Sequence, residues 1–490
     1  MTKRSTTTQT PTTRTLRDEY CRRSLLRAGA LGMCGLAGAD GRQKALATPI
    51  SSTAEYPGFG RAKRCLLLYI YGAWSQLDTF DPKPNAPAEI RGEFSAIDSA
   101  LPGVRVCEHL PKSARVLDRC TLVRSMAHPW NIHSASYTLT GNADTERIEG
   151  RQRHPDQWPY IGSLVDHLAR NDHFGPREPG VPNNVMLPWR QSLFARPNKR
   201  SGTFGAFLGT NHDPLWTEFH GEAPLGDPFR AITPEGRFTF GTGNSPSLAK
   251  DTLTRRQSLL SEFERHSAVM DRSSTVASYT DLRARAIEFL ATSKVRDALA
   301  LEREPDSLRE DYGMTLFGQA CLTARRLLEA DVKFVTVVWD EYGQTDESWD
   351  THYDHHSRMK DFLLPAFDRA YATLMMDLEH RGLLEDTLVL CLSEHGRTPR
   401  FDPSNVGAPG RGHWSRAYSQ LFAGAGIPRG QVVGETDAIA GDVVNRPINP
   451  KDVLCTAYHL LGVDPRRELL ASPGRPVPLV AGGSVIRELL

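Results

Sequence analysis

Residues 387–399 read TLVLCLSEHGRTP: six residues with the make-up of a buried strand, then Ser393, an acid, an imidazole and a glycine. A continuous apolar run of this length suits a strand covered on both faces, as in a parallel sheet. Gly396 allows a tight turn directly after Glu394-His395. Open α/β sheets bind ligands beyond the carboxyl ends of their strands, so the acid–His pair is a functional signal as well as a topological one.

The same pattern recurs along the chain. Arg64 to Tyr71 (RCLLLYIY), Thr121 to Met126, Lys333 to Trp339 (KFVTVVW) and Ser419 to Ala423 all read as strands. Leu316 to Ala330, Phe362 to Arg381 and Asp452 to Leu461 carry apolar residues at helical spacing, and Gly382 and Gly462 are good stops for the last two. Strands alternating with helices predict one large α/β domain, a mostly parallel sheet wrapped by helices. The stretch from about 175 to 250, dense in Gly, Pro, Asn and Phe, reads as a long loop-rich insertion beside the active face. Residues 251–310 return to a charged, helical composition.

Composition narrows the function classes. The 490 residues carry 59 basic and 58 acidic side chains, a net charge of +1, which provides no field for nucleic acid or an anionic membrane. Eight cysteines are too few for a disulfide scaffold. Cys65 and Cys391 sit inside apolar runs and read as buried, whereas Cys107 and Cys120 are open to pairing in an oxidising compartment.

The N-terminal stretch supplies a compartment. Arg22-Arg23, then Leu25-Leu26 and the mild apolar run from Ala28 to Ala39, resemble a twin-arginine signal, with Ala45-Leu46-Ala47 at a plausible cleavage site. This predicts a signal peptide over 1–47, an encounter with the twin-arginine translocase, and a periplasmic or otherwise exported domain over 48–490. A basic tail of no address is the bland alternative. Lipoprotein anchoring through Cys34 is disfavoured by the large Met33 before it. No later run of about 18 apolar residues exists, so no transmembrane segment is expected in the mature chain.

Chemistry-bearing residues gather after the strands. Asp78 follows the first, Asp350, His352, His355 and His356 follow KFVTVVW, Glu394-His395 follow TLVLCL, and His413 precedes the Ser419 strand. Mixed Asp, Glu and His sets suit Zn²⁺, Mn²⁺ or a similar cation. A lone Asp after a strand also serves as a helix cap, and His352 to His356 also fits a solvated loop.

The order strand–Asp, Asp–His, acid–His–Gly, then a lone His resembles the alkaline phosphatase superfamily, with its sulfatases and phosphomutases. Longer phrases resemble one family of exported, sulfatase-like proteins in it, domain of unknown function 1501: DTFDPKPNAPAEIRGEF from Asp78, CEHLPKSA from Cys107, REDYGMTLFGQACLTARRLLEADVKFVTV from Arg309, WDTH from Trp349, EHGRTPR from Glu394, GRGHW from Gly410 and GRPVPLVAGGSVIREL from Gly474. The resemblance implies an alkaline-phosphatase-like three-layer sandwich and a divalent-metal centre of Zn, Mn or Ca. It carries ligand roles onto Asp350, His352, Glu394, His395 and His413. The superfamily's first strand ends on a metal-binding Asp; here Gly72 stands there and Asp78 is displaced. The sulfatase Cys-x-Pro-Ser-Arg motif is absent, and counting back from Gly141 the nucleophile slot falls on Asn131. His133, or Ser134 or Thr138 by a shift of register, is then the candidate for covalent chemistry, with Arg397 holding the substrate anion. Two functions follow: a cell-envelope metal-dependent hydrolase of phosphate or sulfate esters, on a small-molecule or glycan substrate, or a binding or assembly protein that keeps the fold without turnover.

Overall fold

A computed structural model describes residues 56–142, 151–189 (save 152, 155, 172, 176 and 177), 200–222, 232–240, 292–340, 349–404, 406–471 and 474–490. The signal-peptide reading, with Arg22, Arg23 and Cys34, lies outside the described residues, as does all of 251–291.

Nine strands form the central sheet: β1 (Arg64–Ile70), β2 (Cys120–Met126), β3 (Asn184–Leu187), β4 (Leu215–His220), β5 (Arg237–Phe240), β6 (Phe334–Trp339), β7 (Thr387–Leu392), β8 (Tyr418–Ala423) and β9 (Gln431–Val433). Their order is β9-β2-β8-β7-β1-β6-β3-β4-β5. β1 lies at the centre, parallel to β6 and to β7, with Leu68 opposite Val337 on one side and Cys391 on the other. β8 runs antiparallel to both β7 and β2, and β5 runs antiparallel to β4. The remaining pairs are parallel, as the apolar runs predict.

Two cores sandwich this sheet. Alternate residues of β1 point to opposite faces. Leu66, Leu68 and Ile70 pack with helices α3 (Leu316–Glu329) and α4 (Leu364–His380). Cys65, Leu67 and Tyr69 pack with α1 (Ala135–Thr140), α2 (Ile161–Arg170) and α5 (Pro450–Leu460). Each such buried aliphatic side chain contributes about 1.5–3 kcal/mol. The helix starts are written locally: Thr315 accepts from Gly318 N to open α3, and Asn449 with Asp452 forms a capping box on α5.

Two expectations change. The loop-rich stretch over 175–250 also supplies β3, β4 and β5, one whole edge of the sheet. These strands are four to six residues long, too short to stand out as a periodicity among Gly and Pro. Cys107 and Cys120 are free, buried thiols, and burial pushes both above the ordinary thiol range. Among the described residues no helix is long and apolar enough to cross a membrane.

Candidate metal centre

The ends of β1, β6 and β7, with the turn before α1, meet at one place. β1 runs into Gly72, at φ +98°, where an added Cβ would lie 2.9 Å from Asp350 N. Only glycine admits this approach of the Asp350 backbone to the strand end. After β7 the chain turns through Glu394-His395, and Gly396–Arg397 pairs antiparallel with His413–Trp414, which brings His413 beside His395. Gly410 is required for the same reason as Gly72, since a Cβ there would sit 2.1 Å from the carbonyl carbon of His352.

Two overlapping groups result, His133 with His395 and His413, and Asp350 with His352 and His413, each with its ligand atoms within 4.8 Å of one another. Asp350 links them. Its Oδ2 lies 3.0 Å from His133 Nε2, and its Oδ1 lies 2.9 Å from His352 Nε2 and 3.3 Å from His413 Nε2. His352 Nε2 and His413 Nε2 are 3.0 Å apart.

The surroundings set the tautomers. His395 Nδ1–H donates to Gly396 O at 2.8 Å, which leaves the lone pair on Nε2, buried and without a hydrogen-bond partner. Burial, with His133, His413 and Arg397 nearby, holds this ring neutral by lowering its pKa well below the ordinary value. His133 Nδ1–H donates to Glu394 Oε1 at 2.6 Å, and its Nε2 faces Asp350 Oδ2. Burial opposes a charge on His133, but Asp350 and Glu394 outweigh it and raise the pKa. Burial and neighbouring His133 and Arg397 lower His413, against the pull of Asp350. Asp350 stays ionised despite its burial, because Arg397 and His133 hold it well below the carboxylate range.

Four buried atoms here make no well-directed hydrogen bond: His133 Nε2, Asp350 Oδ1, Glu394 Oε2 and His395 Nε2. Buried polar atoms left in this way are costly unless something else satisfies them. Imidazole and carboxylate atoms with lone pairs turned inward, each ring oriented by a carbonyl or carboxylate behind it, fit a borderline divalent cation.

The sequence candidates divide. Asp350, His352, His395 and His413 come together, and His133 joins them, its Nδ1 held by Glu394 and its Nε2 facing Asp350. Glu394 stands one step behind, its Oε1 taken by His133 and by Gly72 N at 2.8 Å. Asp78 is elsewhere: fully buried, it meets Arg411 Nε at 2.7 Å, His355 Nε2 at 3.0 Å and Ser75 Oγ at 2.5 Å. Ser134 is the N-cap of α1, its Oγ accepting from Tyr137 N at 3.0 Å. Arg397 is fully buried and is not an open clamp for substrate. Its guanidinium donates to Ala73 O at 2.9 Å, Arg411 O at 3.3 Å and Gly72 O, and it contacts Asp350 Oδ1. Asn131 is exposed and donates to His413 O at 3.1 Å.

Sequence reasoning missed Arg411 and undervalued His355. Thr351, between two of the clustered residues, contacts His355 Nδ1 through its Oγ1 at 2.6 Å, and its carbonyl accepts from Arg411 N at 3.0 Å. Asp78, His355 and Arg411 therefore brace the Asp350–His352 turn from behind. The GRGHW phrase contained Arg411, but only the fold reveals its partner.

Fold and site together define an α/β protein with a candidate metal centre at the carboxyl ends of its central strands. The chain belongs to the family described as protein of unknown function (DUF1501), whose model matches residues 62–490. No curated protein matches it. Among solved structures it is similar to a sulfatase from Pseudoalteromonas sp., 10% identical over 82% of this chain and 68% of that one, with a TM-score of 0.36. It is similar also to the phosphonate monoester hydrolase of Agrobacterium radiobacter, 14% identical over 87% and 77% of the two chains at TM-score 0.34. The phosphonate monoester hydrolase of Silicibacter pomeroyi is 12% identical over 82% and 73%, at TM-score 0.30. At these values the function is read from the site residues alone.

Proposed function

We propose that the protein is a metal-dependent hydrolase of phosphate or sulfate esters, exported by the twin-arginine route as a domain over 48–490. The observation that carries this is the convergence of His133, Asp350, His352, His395 and His413, with His133 Nε2, Asp350 Oδ1 and His395 Nε2 buried and without a well-directed hydrogen bond. These five residues would hold the cation. A divalent ion there supplies polarisation of the ester and compensation of the charge that develops on its oxygens.

The protein's own groups do the rest. Glu394 fixes the His133 tautomer, and Gly396 O fixes that of His395. Asp78, His355 and Arg411 hold the turn that presents Asp350 and His352. The His352 side chain is 42% exposed, so it is the cluster's face toward solvent and substrate. Among the described residues no cysteine lies in the cluster, Ser134 serves as a helix cap, and Asn131 occupies the nucleophile slot. Water is the nucleophile that best suits such a site, and phosphate esters should be turned over ahead of sulfate esters.

The same three features support a second reading, a binding protein that keeps ligands without turnover. Metal analysis of purified protein, with assays on aryl phosphates, bis-aryl phosphates and aryl sulfates, tests both. Fastest turnover of aryl sulfates overturns the stated order. Bound metal with no turnover of any ester favours the binding protein.

A further inference from the structure

We infer that Asn131 is a specificity residue of the site: its side-chain amide oxygen accepts a hydrogen bond from an O–H on the bound anion, and so favours phosphate over sulfate. The inference rests on the hydrolase reading above.

The loop that carries Asn131 is fastened on both sides of it. His128 N donates to Ser415 O at 2.9 Å, and the buried His128 ring packs against Tyr137 and Tyr418. Trp130 N donates to His128 Nδ1 at 3.2 Å, which leaves the ring's own N–H on Nε2, 2.7 Å from Glu394 O. On the far side, His133 Nδ1–H donates to Glu394 Oε1 at 2.6 Å, and Ser134 N donates to Ile132 O at 2.8 Å. Glu394 thus anchors both ends, and Asn131 stands on a braced loop rather than a free one.

The side chain is oriented as well. Asn131 Nδ2 donates to His413 O at 3.1 Å. A carbonyl oxygen can only accept, so the amide nitrogen faces it and Oδ1 is the end turned elsewhere. Among the described residues Oδ1 has no hydrogen-bond partner, and Asn131 is exposed. His413 belongs to the cluster, and its own side chain is 24% exposed, so the amide stands where the cluster meets solvent.

An amide oxygen accepts a proton's hydrogen bond and has no proton to offer. In mildly alkaline solution phosphate and sulfate are dianions of the same tetrahedral shape, but only phosphate keeps an O–H. Hydrolysis of a phosphate ester by water leaves such a group on the phosphorus. A fixed acceptor binds that O–H and is left unpaired, facing oxygen, by the anion that lacks it. At an exposed position water competes, so the effect is that of one ordinary hydrogen bond, about tenfold in affinity.

Calorimetric titration of the Zn²⁺-loaded full chain with inorganic phosphate and with inorganic sulfate, in mildly alkaline buffer, tests this. Phosphate is the more basic dianion and binds a cation better on its own account, so the readout is the change on substitution and not the wild-type ratio. Asn131→Ala should weaken phosphate about tenfold and leave sulfate within about twofold. The position is exposed, so the variant should fold, with its metal content unchanged by elemental analysis. Equal losses for the two anions overturn the inference, because they place the amide N–H and not its oxygen on the anion. Unchanged phosphate affinity overturns it too, and so does loss of metal from Asn131→Ala, which would make the residue a support for His413 alone. A wild type that holds Zn²⁺ and binds neither anion overturns the hydrolase reading beneath it.

Discussion

Asp78→Asn separates the role expected from the resemblance from the role seen in the fold. Asp78 is fully buried, and its carboxylate meets Arg411 Nε at 2.7 Å, His355 Nε2 at 3.0 Å and Ser75 Oγ at 2.5 Å. Burial alone would favour the neutral acid, but Arg411 and His355 overrule it and hold the carboxyl below the carboxylate range. Asparagine keeps the shape and one acceptor while removing the charge. Breaking a buried ion pair by removing one partner costs about 3–5 kcal/mol, because the other charge is left uncompensated. Arg411 keeps backbone acceptors at Ile90 O (2.8 Å), Thr398 O (3.1 Å) and Pro399 O. The loss should therefore fall at the low end, about 3 kcal/mol. Urea unfolding of metal-free protein reads it directly, and elemental analysis reads metal content in parallel. The expected result is a loss of about 3 kcal/mol without metal, with metal content kept whenever the variant is folded. A metal ligand would behave in the opposite way, with little change in metal-free stability and a sharp fall in bound ion. A metal-free loss below about 1 kcal/mol, the size of an exposed pair, refutes the bracing role.

Other perturbations bear on the site, the fold and the compartment. Glu394→Gln weakens the acceptor that orients His133, and metal affinity should fall about 10–100-fold with secondary structure intact; calorimetric titration with Zn²⁺ measures it. Ser134→Ala removes the cap on α1 and should cost about 1 kcal/mol by urea titration; loss of all ester turnover from a folded variant would restore Ser134 as a nucleophile. Burial, then the neighbouring His212, Arg467 and Arg170, lowers His167 from 6.5 to about 4 against Asp166, so its neutral form belongs to the folded state. That contribution is fully present above pH 6.5 and is lost as pH falls toward 4, so His167→Gln should flatten the stability profile in that window, and an unchanged slope counts against it. Replacing Arg22 and Arg23 with Lys should strand the precursor in the cytoplasm; normal delivery in fractionation would disprove the signal.

Much of the fold could be read from residue order. The runs at Arg64, Lys333 and Thr387 are largely apolar because their strands are covered on both faces, and these strands, with those read at Thr121 and Ser419, appear within a residue or so of their expected bounds. Helices α3, α4 and α5 were legible from apolar spacing, and α4 and α5 also from the glycines that stop them. Strands β3, β4 and β5 were not, because short runs between Gly and Pro carry too few residues for a period to show.

The candidate site divides along a similar line. Glu394-His395 after β7 and Asp350-x-His352 were visible because strand-end position and residue type are both local properties of the chain. What a buried charge faces is not local. Asp78 and Asp350 look alike as acids after strands, yet 333 residues separate Asp78 from the Arg411 that claims it, and Asp350 lies among three imidazoles. Arg397 could be expected near the anion, but its fixation by the carbonyls of Gly72 and Ala73 exists only once β1 and β7 lie side by side. Sequence by itself determined the central strands of the sheet, the strand ends that carry the candidate site and the kinds of ligand present. Tertiary structure decided which of those groups share a point, because a ligand set is defined by distances of a few ångströms between residues hundreds of positions apart.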